Sequence, residues 1–137
     1  MTGVQTCALP ISKKSRTFLS DVICFNAAKT AEEVGAKAIL GLTSSGYTGF
    51  KVSSFRPNCK IYIFSEKSQM LGTMNLLWGV QCFEYTKYTT TDETFTDITN
   101  ILKGQQLLES GDLIIQTASM PIHQRHRTNM LKVCTVE

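Results

Sequence analysis

Two stretches of this chain concentrate side chains able to grip an anion. The first is Thr43, Ser44, Ser45, Gly46, Tyr47 and Thr48. Hydroxyls at Thr43, Ser44, Ser45 and Thr48, with backbone N–H groups at the start of a helix, make a cradle for a phosphate. Gly46 permits close approach of the backbone. A helix dipole contributes only about 0.3 to 1 kcal/mol per charge, so a phosphate dianion also wants a cation, which Tyr47 does not supply. The competing reading is that these hydroxyls only cap the helix. The second stretch, Ser119 to Thr128, carries His123, Arg125, His126 and Arg127, and Arg holds phosphate bidentately. Its competing readings are a solvated basic loop or a grip on a neighbouring subunit.

Other chemistry lacks its residues. There is no G-x-G-x-x-G or G-x-x-x-x-G-K for a dinucleotide or nucleoside triphosphate, and no G-x-S-x-G elbow for a hydrolase. Acidic residues are dispersed, so no carboxylate pair is placed for acid–base work. His123 and His126 lack the Cys or carboxylate that would complete a zinc site. Cys24 and Cys82 fall in apolar contexts and read as inert core; Trp78, before Gly79, reads as a core anchor at a helix end. No catalytic residue is assigned.

The elements that must position the two stretches alternate along the chain. Leu19, Ile23, Ala27 and Ala31, with Phe18, Val22 and Phe25, form the apolar stripe of a helix that Gly35 ends. Lys37 to Leu42 reads as a strand covered on both faces. A helix from about Gly46 to Phe55 follows, then a turn at Arg56, Pro57 and Asn58. Lys60 to Phe64 is a strand, about Ser65 to Trp78 a helix, and Val80 to Tyr85 a third strand. Asp92 is expected to cap a helix reaching Leu108. Leu113 to Thr117 and Asn129 to Val136 are the last two strands, joined without a crossover helix, which favours an antiparallel final pair. Repeated β-α units imply an α/β fold, three layers (α/β/α) around an open sheet. Ligands of such sheets sit beyond the carboxyl ends of the strands, where strand order reverses. If the fourth strand lies beside the first, the hydroxyl turn and the basic loop converge on one anion.

With 137 residues, the chain has the length of one domain. Its 18% charged residues and net charge of +3 do not mark a nucleic-acid binder, and no apolar run is long enough to cross a membrane. Five scattered cysteines without a C-x-x-C pair fit a reducing cytoplasm. Residues 1–12, MTGVQTCALPIS, lack the layout of a signal peptide and resemble translated sequencing adaptor. Residues 1–14 are therefore expected to be a non-native or disordered leader, and 15–137 the domain.

In order, AEEVGAKAILGLTSSGYT (Ala31 to Thr48), FRP (Phe55 to Pro57), LLWGV (Leu76 to Val80), TTDE (Thr90 to Glu93), SGDLIIQTASMP (Ser110 to Pro121) and TNMLKV (Thr128 to Val133) resemble the C-terminal domain of bacterial pyruvate kinases. The resemblance, over about Ser15 to Glu137, implies a mixed five-stranded sheet of order 3-2-1-4-5 with the last strand antiparallel. It implies a parent enzyme of glycolysis transferring phosphoryl from phosphoenolpyruvate to ADP, with Mg²⁺ and K⁺, in a barrel domain missing from this chain. It also implies a homotetramer and an allosteric site for a sugar phosphate or nucleotide. Thr43, Ser44, Ser45, Gly46 and Thr48 fall on the family's phosphate turn, and Ser119 to Thr128 on its effector loop. Tyr47 departs from a position often basic there, the loop's usual glycines are replaced, and no Arg stands between Tyr88 and Asn100. These departures leave the effector open: a monophosphate, or none. Two alternatives stand beside this reading: a flavodoxin-like FMN carrier, whose phosphate turn T-S-S-G-Y-T also resembles, and a free-standing sugar-phosphate-binding module.

Overall fold

The computed structural model describes residues 11, 13–124 and 126–137, His123 by its backbone only. The expected leader thus lies mostly outside the described residues. The apolar runs form a sheet as their patterning requires. β1 (Ala38–Leu42), β2 (Lys60–Ser65), β3 (Val80–Glu84), β4 (Leu113–Ala118) and β5 (Met130–Thr135) lie in the order β3-β2-β1-β4-β5. β1 pairs in parallel with β2 and β4, β2 in parallel with β3, and β4 antiparallel with β5. Both the three-layer α/β class and the expected strand order are observed. The order excludes the flavodoxin-like alternative, whose parallel sheet runs 2-1-3-4-5.

Both faces of the central strands are buried, which is why those strands read as continuous apolar runs. Ile39, Ile61, Ile63 and Ile115 pack on one face with Cys24, Ala27 and Ala31 of α1 (Phe18–Val34), Val52 of α2 (Tyr47–Ser54) and Met74 of α3 (Ser68–Met74). Leu40, Tyr62, Phe64 and Ile114 face the other way, against Phe95, Ile98 and Leu102 of α4 (Thr91–Gly104). The alanines of α1 let it lie close to the sheet. Gly49 does the same for α2: a Cβ there would stand 2.6 Å from Met74 Cε and 3.0 Å from Ile63 Cγ1. Gly35, at φ 66°, closes α1 as expected.

Five local expectations are corrected. α3 is much shorter than Ser65 to Trp78, because the chain past Met74 tightens into three-residue turns (Leu77 N–H to Met74 O, 3.0 Å) and Asn75 Oδ1 accepts from Cys82 N–H at 2.9 Å. Trp78 is 47% exposed, its ring beneath the Arg56 guanidinium at 5.3 Å, and so is no core anchor. The α4 cap is Thr90, not Asp92: Thr90 is extended and its Oγ1 accepts from Glu93 N–H at 3.2 Å, leaving Asp92 inside the first turn. That helix ends at Gly104, short of Leu108, as Gln106 turns left-handed at φ 62° and Leu107 N–H returns to Leu102 O. Cys24 is fully buried and its thiol is pushed up to about 12 by burial, then by Asp21. Cys82 is only half-buried, not a full core residue, and burial raises it to about 11.

Candidate functional site

The reversal of strand order falls between β1 and β4, and there the carboxyl ends of these strands open into a cleft of about 450 Å³. That volume suits a small-molecule ligand. Thr43, Ser44, Ser45 and Thr48 line it from the β1 side, and Ser119, His126, Arg127 and Thr128 from the β4 side. The two stretches singled out by sequence therefore do meet. Arg125 lies outside the described residues, as does the His123 side chain.

The hydroxyl turn is built by its own capping bonds. Thr43 Oγ1 accepts from Gly46 N–H at 2.9 Å and Ser45 Oγ from Tyr47 N–H at 3.3 Å. Gly46 sits in the left-handed region at φ 82°, which brings α2 sharply out of β1. These bonds use hydroxyl oxygens as acceptors and leave the hydroxyl protons available to an anion. Capping and anion binding are thus compatible roles of the same side chains. Thr48, 3% exposed, shares a 2.5 Å hydrogen bond with buried Thr128, so its hydroxyl staples the turn to the far loop.

The far loop is held at its base by a reciprocal pair: Met120 N–H donates to Asn129 Oδ1 and Asn129 Nδ2 to Met120 O, each at 2.8 Å. His126 Nε2 lies 3.0 Å from Gln124 Oε1. Arg127 Nη1 donates to the carbonyl oxygen of Arg16, tying the loop to the chain just before α1. The turn is tied there as well. Tyr47 O–H donates to Asp21 Oδ1 at 2.5 Å, Thr17 O–H to Asp21 Oδ2 at 3.0 Å, and Lys51 Nζ stands 3.8 Å from Asp21 Oδ2. Burial and the Asp21 carboxylate raise the Tyr47 phenol above its ordinary range. Tyr47 thus serves as a strut between the turn and α1.

Four residues of the cleft escaped the sequence reading: Thr17 and Ser20 at the start of α1, Glu66 after β2 and Tyr88 after β3. The last two follow carboxyl ends of strands, so the edge rule that brings the two main stretches together would have found them. Thr17 and Ser20 carried no such signal, because a helix preceding β1 has no fixed place relative to that edge. Among the described residues no three His, Cys, Asp or Glu side chains gather as metal ligands, and no helix is long and apolar enough to cross a membrane.

An open mixed sheet with a hydroxyl-lined cleft at its switch point defines the class of α/β domain whose ligands, when bound, sit beyond the carboxyl ends of the strands. Residues 21–134 match the family model described as "Pyruvate kinase, alpha/beta domain". The chain belongs to the pyruvate kinase family, as its C-terminal alpha/beta domain. It is 31% identical to the pyruvate kinase of Lactobacillus delbrueckii subsp. bulgaricus over 115 residues, 84% of this chain and 20% of that protein. It is also 31% identical to the Geobacillus stearothermophilus pyruvate kinase over 122 residues, 89% of this chain and 21% of the relative. The chain therefore spans about a fifth of the length of the curated relatives it matches. Among solved structures, Cryptosporidium parvum pyruvate kinase in complex with ADP shares the fold, with a TM-score of 0.84 at 20% identity, over 99% of this chain and 27% of that one.

Proposed function

We propose that this domain is the regulatory and tetramer-building part of a cytoplasmic, glycolytic pyruvate kinase, and that its cleft binds a phosphorylated effector, a sugar phosphate or a nucleotide. The observation that carries this is the convergence at the β1/β4 switch point of the hydroxyl turn and the Arg127 loop, stapled by Thr48 and Thr128. The turn offers hydroxyl protons and helix N–H groups, and Arg127 offers the permanent cation that the dipole alone leaves wanting. Phosphoryl transfer from phosphoenolpyruvate to ADP, with its Mg²⁺ and K⁺, falls to the remaining part of such an enzyme. No residue of this chain is assigned to it.

The test is a thermal-shift titration of the full chain with glucose 6-phosphate, ribose 5-phosphate, AMP and fructose 1,6-bisphosphate. A ligand present at a hundred times its Kd stabilises by about 2.7 kcal/mol. For a domain of this size that raises Tm by about 9 °C. The variant Ser45→Ala/Arg127→Ala should lose the shift while folding normally. No shift with any of the four at millimolar concentration would overturn the effector reading. Sedimentation of the same samples tests assembly, and a strictly monomeric chain at high concentration would count against the tetramer-building role.

A further inference from the structure

The cleft has a third wall that the two loops do not account for. α1 is 17 residues long, and its first turn borders the cleft through Thr17 and Ser20. Thr17 sits at the N-cap but makes no side-chain capping bond; its hydroxyl goes instead to Asp21. No side chain caps the leading amides of this long helix, Phe18 N–H going to the Ser15 carbonyl at 3.2 Å, and its positive dipole end stands at the wall of a hydroxyl-lined cleft.

Ser20 supplies an independent sign. It is 2% exposed, and its Oγ has no hydrogen-bond partner. From the β4 side, buried Ser119 Oγ is likewise without one. A buried hydroxyl left unmatched is costly to a fold, and such groups ordinarily find partners. Two unmatched hydroxyls lining one cleft, one on each side, mark places where an external acceptor belongs. A phosphomonoester fits that demand: its tetrahedral head presents three acceptor oxygens and about two negative charges.

We infer that the first turn of α1 is part of the anion site, with Ser20 Oγ donating to a phosphate oxygen opposite Ser119, so that the phosphate is held between the N-termini of two helices, α1 and α2. This rests on the effector reading above and extends it to a residue outside both predicted stretches. The sugar or nucleoside portion of the ligand is not what Ser20 reads. Inorganic phosphate and a sugar phosphate should therefore respond alike to its loss.

The experiment is calorimetric titration of the full chain with inorganic phosphate and with glucose 6-phosphate, for the native sequence, Ser20→Ala and Ser119→Ala. Each substitution should weaken both ligands by about tenfold, the scale of one hydrogen bond to a charged group. The Tm of ligand-free Ser20→Ala should stay level or rise, because an unmatched buried hydroxyl has been removed. A merely structural serine would do the reverse, lowering Tm and sparing affinity. If Ser20→Ala binds both ligands as tightly as the native chain while Ser45→Ala/Arg127→Ala does not bind, the third wall is wrong and the effector reading stands. If the native chain binds neither ligand, both fall.

Discussion

Replacing Asp21 with alanine should loosen the whole floor of the cleft. Asp21 is 4% exposed and accepts from Tyr47 at 2.5 Å and Thr17 at 3.0 Å, with Lys51 at 3.8 Å. A hydrogen bond to a charged acceptor contributes about 1.5 to 3 kcal/mol. The Lys51 pair, stretched to 3.8 Å with its ammonium partly exposed, adds at most about 1 kcal/mol. Against this stands the relief of a desolvated carboxylate, several kcal/mol in general, reduced here because three donors already surround it. We expect a net loss of about 3 kcal/mol, in line with losses on breaking other buried charged pairs. At an unfolding entropy of about 2.1 cal/mol/K per residue, that lowers Tm by about 10 °C. Urea unfolding followed by far-ultraviolet circular dichroism gives the free energy directly. Tyr47→Phe alone should cost about 1.5 kcal/mol, and the double variant should cost at least about 1 kcal/mol less than the sum. A loss under about 1 kcal/mol for Asp21→Ala, or strict additivity with Tyr47→Phe, would refute the claim that this carboxylate organises the turn.

Gly46→Ala places a Cβ at φ 82° and within 3.0 Å of Met70 Cε and Met74 Sδ. It should cost about 1 to 2 kcal/mol from the left-handed conformation and weaken phosphate binding; a urea midpoint equal to the native one would contradict this. Stability should also fall in alkali. Cys24 and Tyr85 are raised to about 12 and Cys59 and Cys82 to about 11, each mainly by burial. Between pH 9 and 12 the unfolded chain releases its thiol and phenol protons first and so binds fewer. The slope of unfolding free energy with pH is therefore negative there and vanishes below the unfolded pKa values. Urea midpoints from pH 7 to 11 should decline above pH 9, less steeply for Cys24→Ala. A flat profile from pH 8.5 to 10.5 would sink the argument.

Much of the fold was legible because its strands are buried on both faces. Ala38–Leu42 and Lys60–Ser65 announce themselves as apolar runs whatever their neighbours do. The ends of α3 and α4 were less legible. Leu107 and Leu108 continue the apolar count of a helix, yet Gln106 breaks it with a backbone turn that a glutamine gives no sign of making. Asp92 and Thr90 are both good caps, and only the extended backbone at Thr90 separates them. At the site, the hydroxyl turn and Arg127 were visible as local composition. Ser20 was not, since a serine in the first turn of an amphipathic helix looks like any other. Its meaning depends on a cleft assembled from three distant segments.

Thr48 and Thr128 touch across 80 residues of chain, and that separation ties the cleft to the order in which the domain is put together. β1 can pair with β2 through a short crossover, but it meets β4 only after more than half the chain has been threaded past it. No partly folded form built from β1, β2 and β3 contains the cleft, however native its hydroxyl turn. Any opening that detaches the C-terminal β4–β5 hairpin erases the cleft in one step. A ligand held there would protect this hairpin first, slowing its amide exchange and its proteolysis. Occupancy would then report, at the far end of the sequence, that the sheet has been closed.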